Sequence, residues 1–184
     1  MRFDKDGFIE ACRKAVEGDD SHMAVREIVA RAVSEPGEVI AGLGEPTTSG
    51  ITTLFRSDKL TILNINWPPF MTVTPHNHNM WAVIGVYSGC EDNIFWRRQG
   101  EVIEAAGARA LRVRDAHPLG RDIIHTVTNP LGRMSCALQL YGGDFFGAPR
   151  SQWDPETLRE EPYDAAVRAR AFREAGARFG LADP

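Results

Sequence analysis

The sequence predicts an all-β jelly-roll barrel with helices before and after it. Three observations predict this class. Apolar residues recur at helical spacing ahead of residue 50, the repeat changes to two from Ile51, and helical spacing returns near the C-terminus.

Residues 4–17 place Phe8, Ile9, Cys12 and Val16 on one helical face, and residues 21–32 do the same with Val25, Ile28 and Val29. Ser34-Glu35-Pro36-Gly37 breaks that pattern, and Gly42, Gly44, Pro46 and Gly50 continue a loop-rich boundary. The first 50 residues therefore form a helical segment. In the strand that follows, Leu63, Ile65 and Trp67 share one face, with Ile62, Asn64 and Asn66 on the other. Strand-like runs continue at 81–87, 93–98, 109–114, 122–128 and 135–141, separated by Gly, Pro or charged turns. These give a barrel core over residues 51–147. Residues 148–184 form a helical tail, with Ala166, Ala169, Phe172 and Ala175 periodic over 161–179.

With 184 residues, 43% hydrophobic and 25% charged, the chain fits one domain with one substantial core. Lys and Arg number 21 against 25 Asp and Glu, a net charge of −4, which argues against a nucleic-acid partner. Cys12, Cys90 and Cys136 are odd in number and widely spaced, unlike a disulfide framework. Residues 1–17 lack the apolar run of a signal or membrane segment, so a cytoplasmic protein with no membrane partner is expected.

The chemistry is concentrated in Thr74-Pro75-His76-Asn77-His78. Two imidazoles two residues apart on a strand face the same way and reach one ion. A third, His125, stands in another strand-like run, Ile123-Ile124-His125-Thr126-Val127, which barrel closure would bring opposite the pair. Three nitrogen ligands leave open coordination positions, as catalytic metal sites do. The competing reading is a chance meeting of histidines in a chain that has five.

The spacing resembles the cupin superfamily, whose first motif is H-x-H, a glutamate and a later glycine, and whose second is P-x-G, a histidine and an asparagine. Here His76, His78 and Gly89 match the first, and Pro118, Gly120, His125 and Asn129 the second. The glutamate position falls at Ala82 or Val83, which leaves three histidines. A three-histidine cupin is similar to the thiol dioxygenases of the cysteine dioxygenase type. That resemblance covers roughly residues 50–147, in the strand, Trp-Pro turn and H-x-H of Leu60 to His78 and the last core strand Ser135 to Tyr141. It implies a double-stranded β-helix, iron(II) on His76, His78 and His125, and oxidation of a small thiol by O₂ to its sulfinic acid. It also implies an active-site role for Tyr141 and, for the upstream arginine that anchors a substrate carboxylate, Arg56 as the candidate. Gln139 replaces the histidine that often holds the tyrosine hydroxyl, and no cysteine stands where some relatives crosslink that tyrosine.

The alternatives are a three-histidine dioxygenase of a carbon substrate such as a diketone, a metal-dependent isomerase or lyase, and a non-enzymatic metal-binding sensor. Of the other residues, His117 before Pro118 reads as a surface turn residue and His22 as solvated. Cys90 and Cys136 read as packing residues. Trp67, Phe70, Trp81 and Trp96 are expected to fill the barrel, with Met80 and Trp81 also close enough to His78 to line a pocket. Arg168, Arg170, Arg173 and Arg178 read as a solvated helix face.

Overall fold

The computed structural model describes residues 3–18 and 22–181; the expectations for the first residues of the chain, for Ser21 and for the last three residues lie outside that range. Three helices come first, α1 (Lys5–Gly18), α2 (His22–Ser34) and α3 (Pro36–Leu43). The Ser34–Gly37 break expected from Pro and Gly is only a corner. Pro36 opens α3, since a first-turn residue needs no N–H partner and proline's fixed φ suits that place. The loop into the barrel is thus shorter than the sequence suggested.

Eleven strands follow: β1 (Gly50–Arg56), β2 (Thr61–Trp67), β3 (Thr72–Asn77), β4 (Ala82–Ser88), β5 (Cys90–Gln99), β6 (Val102–Arg112), β7 (Ala116–Leu119), β8 (Ile124–Thr128), β9 (Ser135–Tyr141), β10 (Ser151–Trp153) and β11 (Glu160–Pro162). They build two antiparallel sheets, ordered β1-β2-β9-β4-β7 and β11-β10-β3-β8-β5-β6. Their inner faces enclose the main core, in which Leu63, Ile65, Trp67, Ala82, Ile84, Val127, Ala137 and Tyr141 pack.

Strand β9 is buried along its whole length, although its side chains alternate. Ala137 and Tyr141 point into the barrel, while Cys136, Leu138 and Leu140 meet Val25, Val29 and Val33 of α2 on the outside. Helix α2 lies so close to β4 that a Cβ on Gly85 would collide with Val29. Gly89 turns β4 into β5 at φ +74, and its missing Cβ leaves room for Ser135. Asn129 bonds the carbonyls of Trp67, Pro68 and Arg133, the Leu131 amide and the Ser135 hydroxyl, so it ties the β8–β9 loop to the end of β2.

The tail departs from the expectation of a helix throughout residues 148–184. Strand β10 joins the second sheet through Gln152 opposite His76, and β11 pairs with β10, before α4 (Ala165–Ala177) begins at an Asp164 cap. His117 and Pro118 lie in strand β7 against β4, not in a turn. Of the four aromatics expected to fill the barrel, only Trp67 does. Phe70 is exposed, Trp81 stacks on His22 beside the helices, and Trp96 packs outside with Ile103, Ile124 and Trp153.

Candidate metal centre

His76 and His125 are direct partners across the β3–β8 ladder, which sets their side chains side by side. His78 lies just beyond the end of β3, two residues on, and returns to the same face. Ring centroids lie 4.7–5.2 Å apart, and the three ligand atoms fall within 4.8 Å of one another. Nε2 of His125 sits 3.2 Å from Nε2 of His78. Two nitrogens each about 2.0–2.1 Å from a shared ion stand roughly 2.9–3.4 Å apart at tetrahedral or octahedral angles, so the spacing fits.

All three rings are buried. Burial pushes His76 and His78 well below the usual histidine range, and burial together with Arg168 pushes His125 down to about 3. The neutral imidazole is the ligand form. Nδ1 of His76 lies 2.9 Å from the Thr74 carbonyl and Nδ1 of His125 lies 2.9 Å from Oδ1 of Asn93. Both acceptors select the Nδ1–H tautomer and leave Nε2 lone pairs for an ion. Nδ1 of His78 has no partner. Of the two positions where a cupin glutamate is expected, Ala82 faces the barrel core and Val83 the layer under the helices, and neither side chain offers a ligand atom.

Tyr141 packs edge-on against His78 with ring centroids 4.9 Å apart. Its hydroxyl donates to Oε1 of Gln139 at 2.5 Å, and burial raises its pKa, holding the phenol protonated. Behind Gln139 lies Glu91, wholly buried, which accepts from Nε1 of Trp67 at 2.6 Å and from Nε2 of Gln139 at 3.3 Å on each oxygen.

Arg56 is paired with a carboxylate. It ends β1 at the surface, half exposed, with Nε and Nη2 each 2.8 Å from the Asp144 carboxylate and its guanidinium over Phe146. Two other arginines approach the centre. Arg150 lies 4.0 Å over both Phe145 and Tyr163, and Arg168 lies 5.3 Å over Phe145 and donates to the Tyr163 hydroxyl at 2.9 Å. Phe145 in turn touches Tyr141 and His78, at 4.1 and 6.0 Å between centroids. Nε and Nη1 of Arg150 and Nε of Arg168 are buried without a partner, and neither guanidinium has a carboxylate partner among the described residues. Arg168 is only 8% exposed, contrary to the solvated helix face read from its neighbours. Both line a cavity of about 380 Å³ with Ile51, Phe145, Phe146 and Phe172.

Sequence reasoning missed Glu91, Asn93, Arg150 and Arg168. A signal existed for the first two: after Gly89 they alternate with Phe95, so strand periodicity places all three on one face of β5. For the arginines there was none, because α4 becomes buried only when the chain returns over the barrel.

Strand order, paired sheets and the cross-strand histidines together settle the architecture. The chain has the cupin fold. No protein-family model matches it, and no curated protein does. Solved structures are similar in chain path. One is an RmlC-like cupin family protein with a double-stranded β-helix fold from Methanocaldococcus jannaschii, 10% identical, covering 55% of this chain and 86% of that one at TM-score 0.47. Another is an uncharacterized protein with a double-stranded β-helix domain from Klebsiella pneumoniae, 10% identical, with 59% and 82% covered at TM-score 0.47. A DMSP lyase from Ruegeria pomeroyi is 20% identical, with 58% and 52% covered at TM-score 0.46. These are likenesses of fold alone.

Proposed function

We propose that this cupin is an iron(II)-dependent oxygenase that oxidises a small thiol bearing a carboxylate. The observation that carries the reading is the pairing of two elements: a three-imidazole set without a carboxylate ligand, and two nearby guanidiniums, that of Arg168 buried and that of Arg150 partly so, with buried donor atoms left unpartnered. Bound iron(II) would supply the reaction with O₂, and imidazole and sulfur both suit that ion.

The remaining work falls to side chains. His76, His78 and His125 would hold the ion, with Thr74 and Asn93 fixing two of the rings. Buried charge without a partner is costly, so Arg150 and Arg168 are poised for an anion, and a carboxylate matches the fork of a guanidinium. A neutral diketone would leave both unpaired. Phe145 packs against both His78 and Tyr141 and covers them with an apolar ring. Since the Tyr141 proton goes to Gln139, its oxygen is left to accept a hydrogen bond from the substrate. Arg56, already neutralised by Asp144, has no part in this reading.

Steady-state kinetics on two thiols tests it. A charge-assisted pair contributes about 1.5–3 kcal/mol, so Arg150→Ala or Arg168→Ala should raise KM for 3-mercaptopropionate roughly tenfold to a hundredfold with a smaller change in kcat. Oxidation of cysteamine, which lacks the carboxylate, should hardly change, and Arg56→Ala should leave both thiols unaffected. Equal losses on the two thiols would show that the arginines only support the fold.

A further inference from the structure

A chain of buried polar groups runs from Tyr141, beside the three histidines, through Gln139 and Glu91 to Trp67, and the Glu91 carboxyl has no cation partner among the described residues. Trp67 on β2, Glu91 on β5, and Gln139 and Tyr141 on β9 all face inward and all are almost fully buried. Trp67 offers only a donor, so the indole fixes one end of the chain. An ionised Glu91 can only accept. It therefore draws the Nε2 end of Gln139 toward itself, at 3.3 Å to each oxygen, and Oε1 is left facing Tyr141. The hydroxyl must then donate, which it does at 2.5 Å. Every polarity in the series follows from the one at Glu91.

We propose that Glu91 is a positioning residue that sets the orientation of the Gln139 amide and, through it, keeps the Tyr141 proton turned away from the metal centre. The inference rests on Tyr141 standing beside that centre and is independent of which substrate is used. Glu91 touches neither a histidine ligand nor the cavity and acts only through Gln139. The arrangement has a chemical consequence: a ligand in the open positions meets an oxygen lone pair of Tyr141, not a proton. Replacing Glu91 by its amide reverses the series. Gln at 91 would accept from Trp67 and donate to Oε1 of Gln139, so Gln139 would present Nε2 to Tyr141 and release the phenolic proton toward the metal.

Exchanging the two side chains, E91Q with Q139E, restores the original polarity. Trp67 then donates to Gln at 91, whose amide donates to Glu at 139, and that carboxylate accepts from Tyr141. This double variant keeps atoms and volume nearly constant, so it separates hydrogen-bond direction from packing.

The experiment has two readouts, both made at about pH 8.5, where Glu91 is charged. In metal-free protein labelled with ¹⁵N-glutamine, the amide protons of Gln139 should show no nuclear Overhauser contact to the Tyr141 ring in wild type and should gain one in E91Q; the exchange variant, which has no amide at position 139, is read by the second measurement alone. Wild type has three glutamines, Gln99, Gln139 and Gln152, and E91Q adds a fourth, so the Gln139 amide is assigned by comparing the two spectra. In cobalt(II)-loaded protein, azide titrated by visible absorption should bind roughly threefold to tenfold more tightly to E91Q, the effect of one added hydrogen bond, and return to the wild-type value in the exchange variant. Tyr141→Phe should erase the gain. An unchanged amide contact in E91Q, or a tighter azide that survives Tyr141→Phe, would overturn the proposal. Neither readout uses a thiol or O₂, so these results stand apart from the thiol assignment.

Discussion

Glu91 is costly where it stands. Burial pushes its pKa up to about 7 against the opposing effect of the Trp67 and Gln139 hydrogen bonds, while an unfolded glutamate titrates near 4.5. The folded protein thus holds this proton to higher pH than the unfolded chain does. Between those two values the unfolded state releases it first, and stability falls as pH rises, by on the order of 3 kcal/mol in total. Glu91→Gln removes that group, so urea unfolding of the variant should gain on wild type by an amount of that order between about pH 4.5 and pH 8. A constant difference across the range would contradict the burial of a titrating carboxyl. The histidines give a second expectation at this scale. His76→Ala, His78→Ala or His125→Ala should each sharply lower bound metal, while Cys90→Ser and Cys136→Ser should not; elemental analysis decides, and full retention in His125→Ala would exclude the site. These three ligands were legible in the sequence because strand spacing and a family-like motif mark them. Arg150 and Arg168 were not, since their neighbours in sequence are ordinary and only the chain's path buries them, while for Glu91 strand periodicity marks a face of β5 but not its hydrogen-bond partners.

Between α2 and β4 the packing is tight because glycine allows it. With no Cβ at Gly85, Val29 and Val33 press directly on the strand, and Leu138 and Leu140 of β9 complete the same layer. Gly85→Val overfills that contact and should cost about 1–3 kcal/mol in denaturant unfolding, with metal content of the folded fraction unchanged because the histidines lie on the other sheet. Loss of metal in parallel would mean that the two sheets do not behave as stated. The strand that reads most cleanly in the sequence, β9 at Ser135–Tyr141, has the same bounds in the structure. The failures have physical causes. Pro36 reads as a break although proline opens helices readily, and β7 is hidden because Pro118 reads as a turn although it pairs with Val83. Strands β10 and β11 span three residues each, too few for any periodicity to show.

At the scale of the molecule, two sheets make the barrel and the chain's ends finish it from opposite sides. Helices α1 to α3 cover the outer face of the first sheet, while α4 returns over the barrel core, where Phe172 stacks on Trp67 at 5.2 Å and Arg168 reaches toward the histidines. No helix among the described residues is long and apolar enough to cross a membrane. The three-histidine cluster is therefore served by three independent parts of the chain: β3 with the residue just after it and β8 for the imidazoles, β5 and β9 for the polar support, and the segment through Arg150 and α4 for charge. Oxygen consumption measures the outcome of that assembly most directly. Protein loaded anaerobically with iron(II) should take up O₂ with 3-mercaptopropionate or cysteine, yield the sulfinic acid, and lose the activity in His125→Ala. O₂ uptake with a β-diketone and with no thiol would contradict the account, leaving the cupin fold and its three histidines in place.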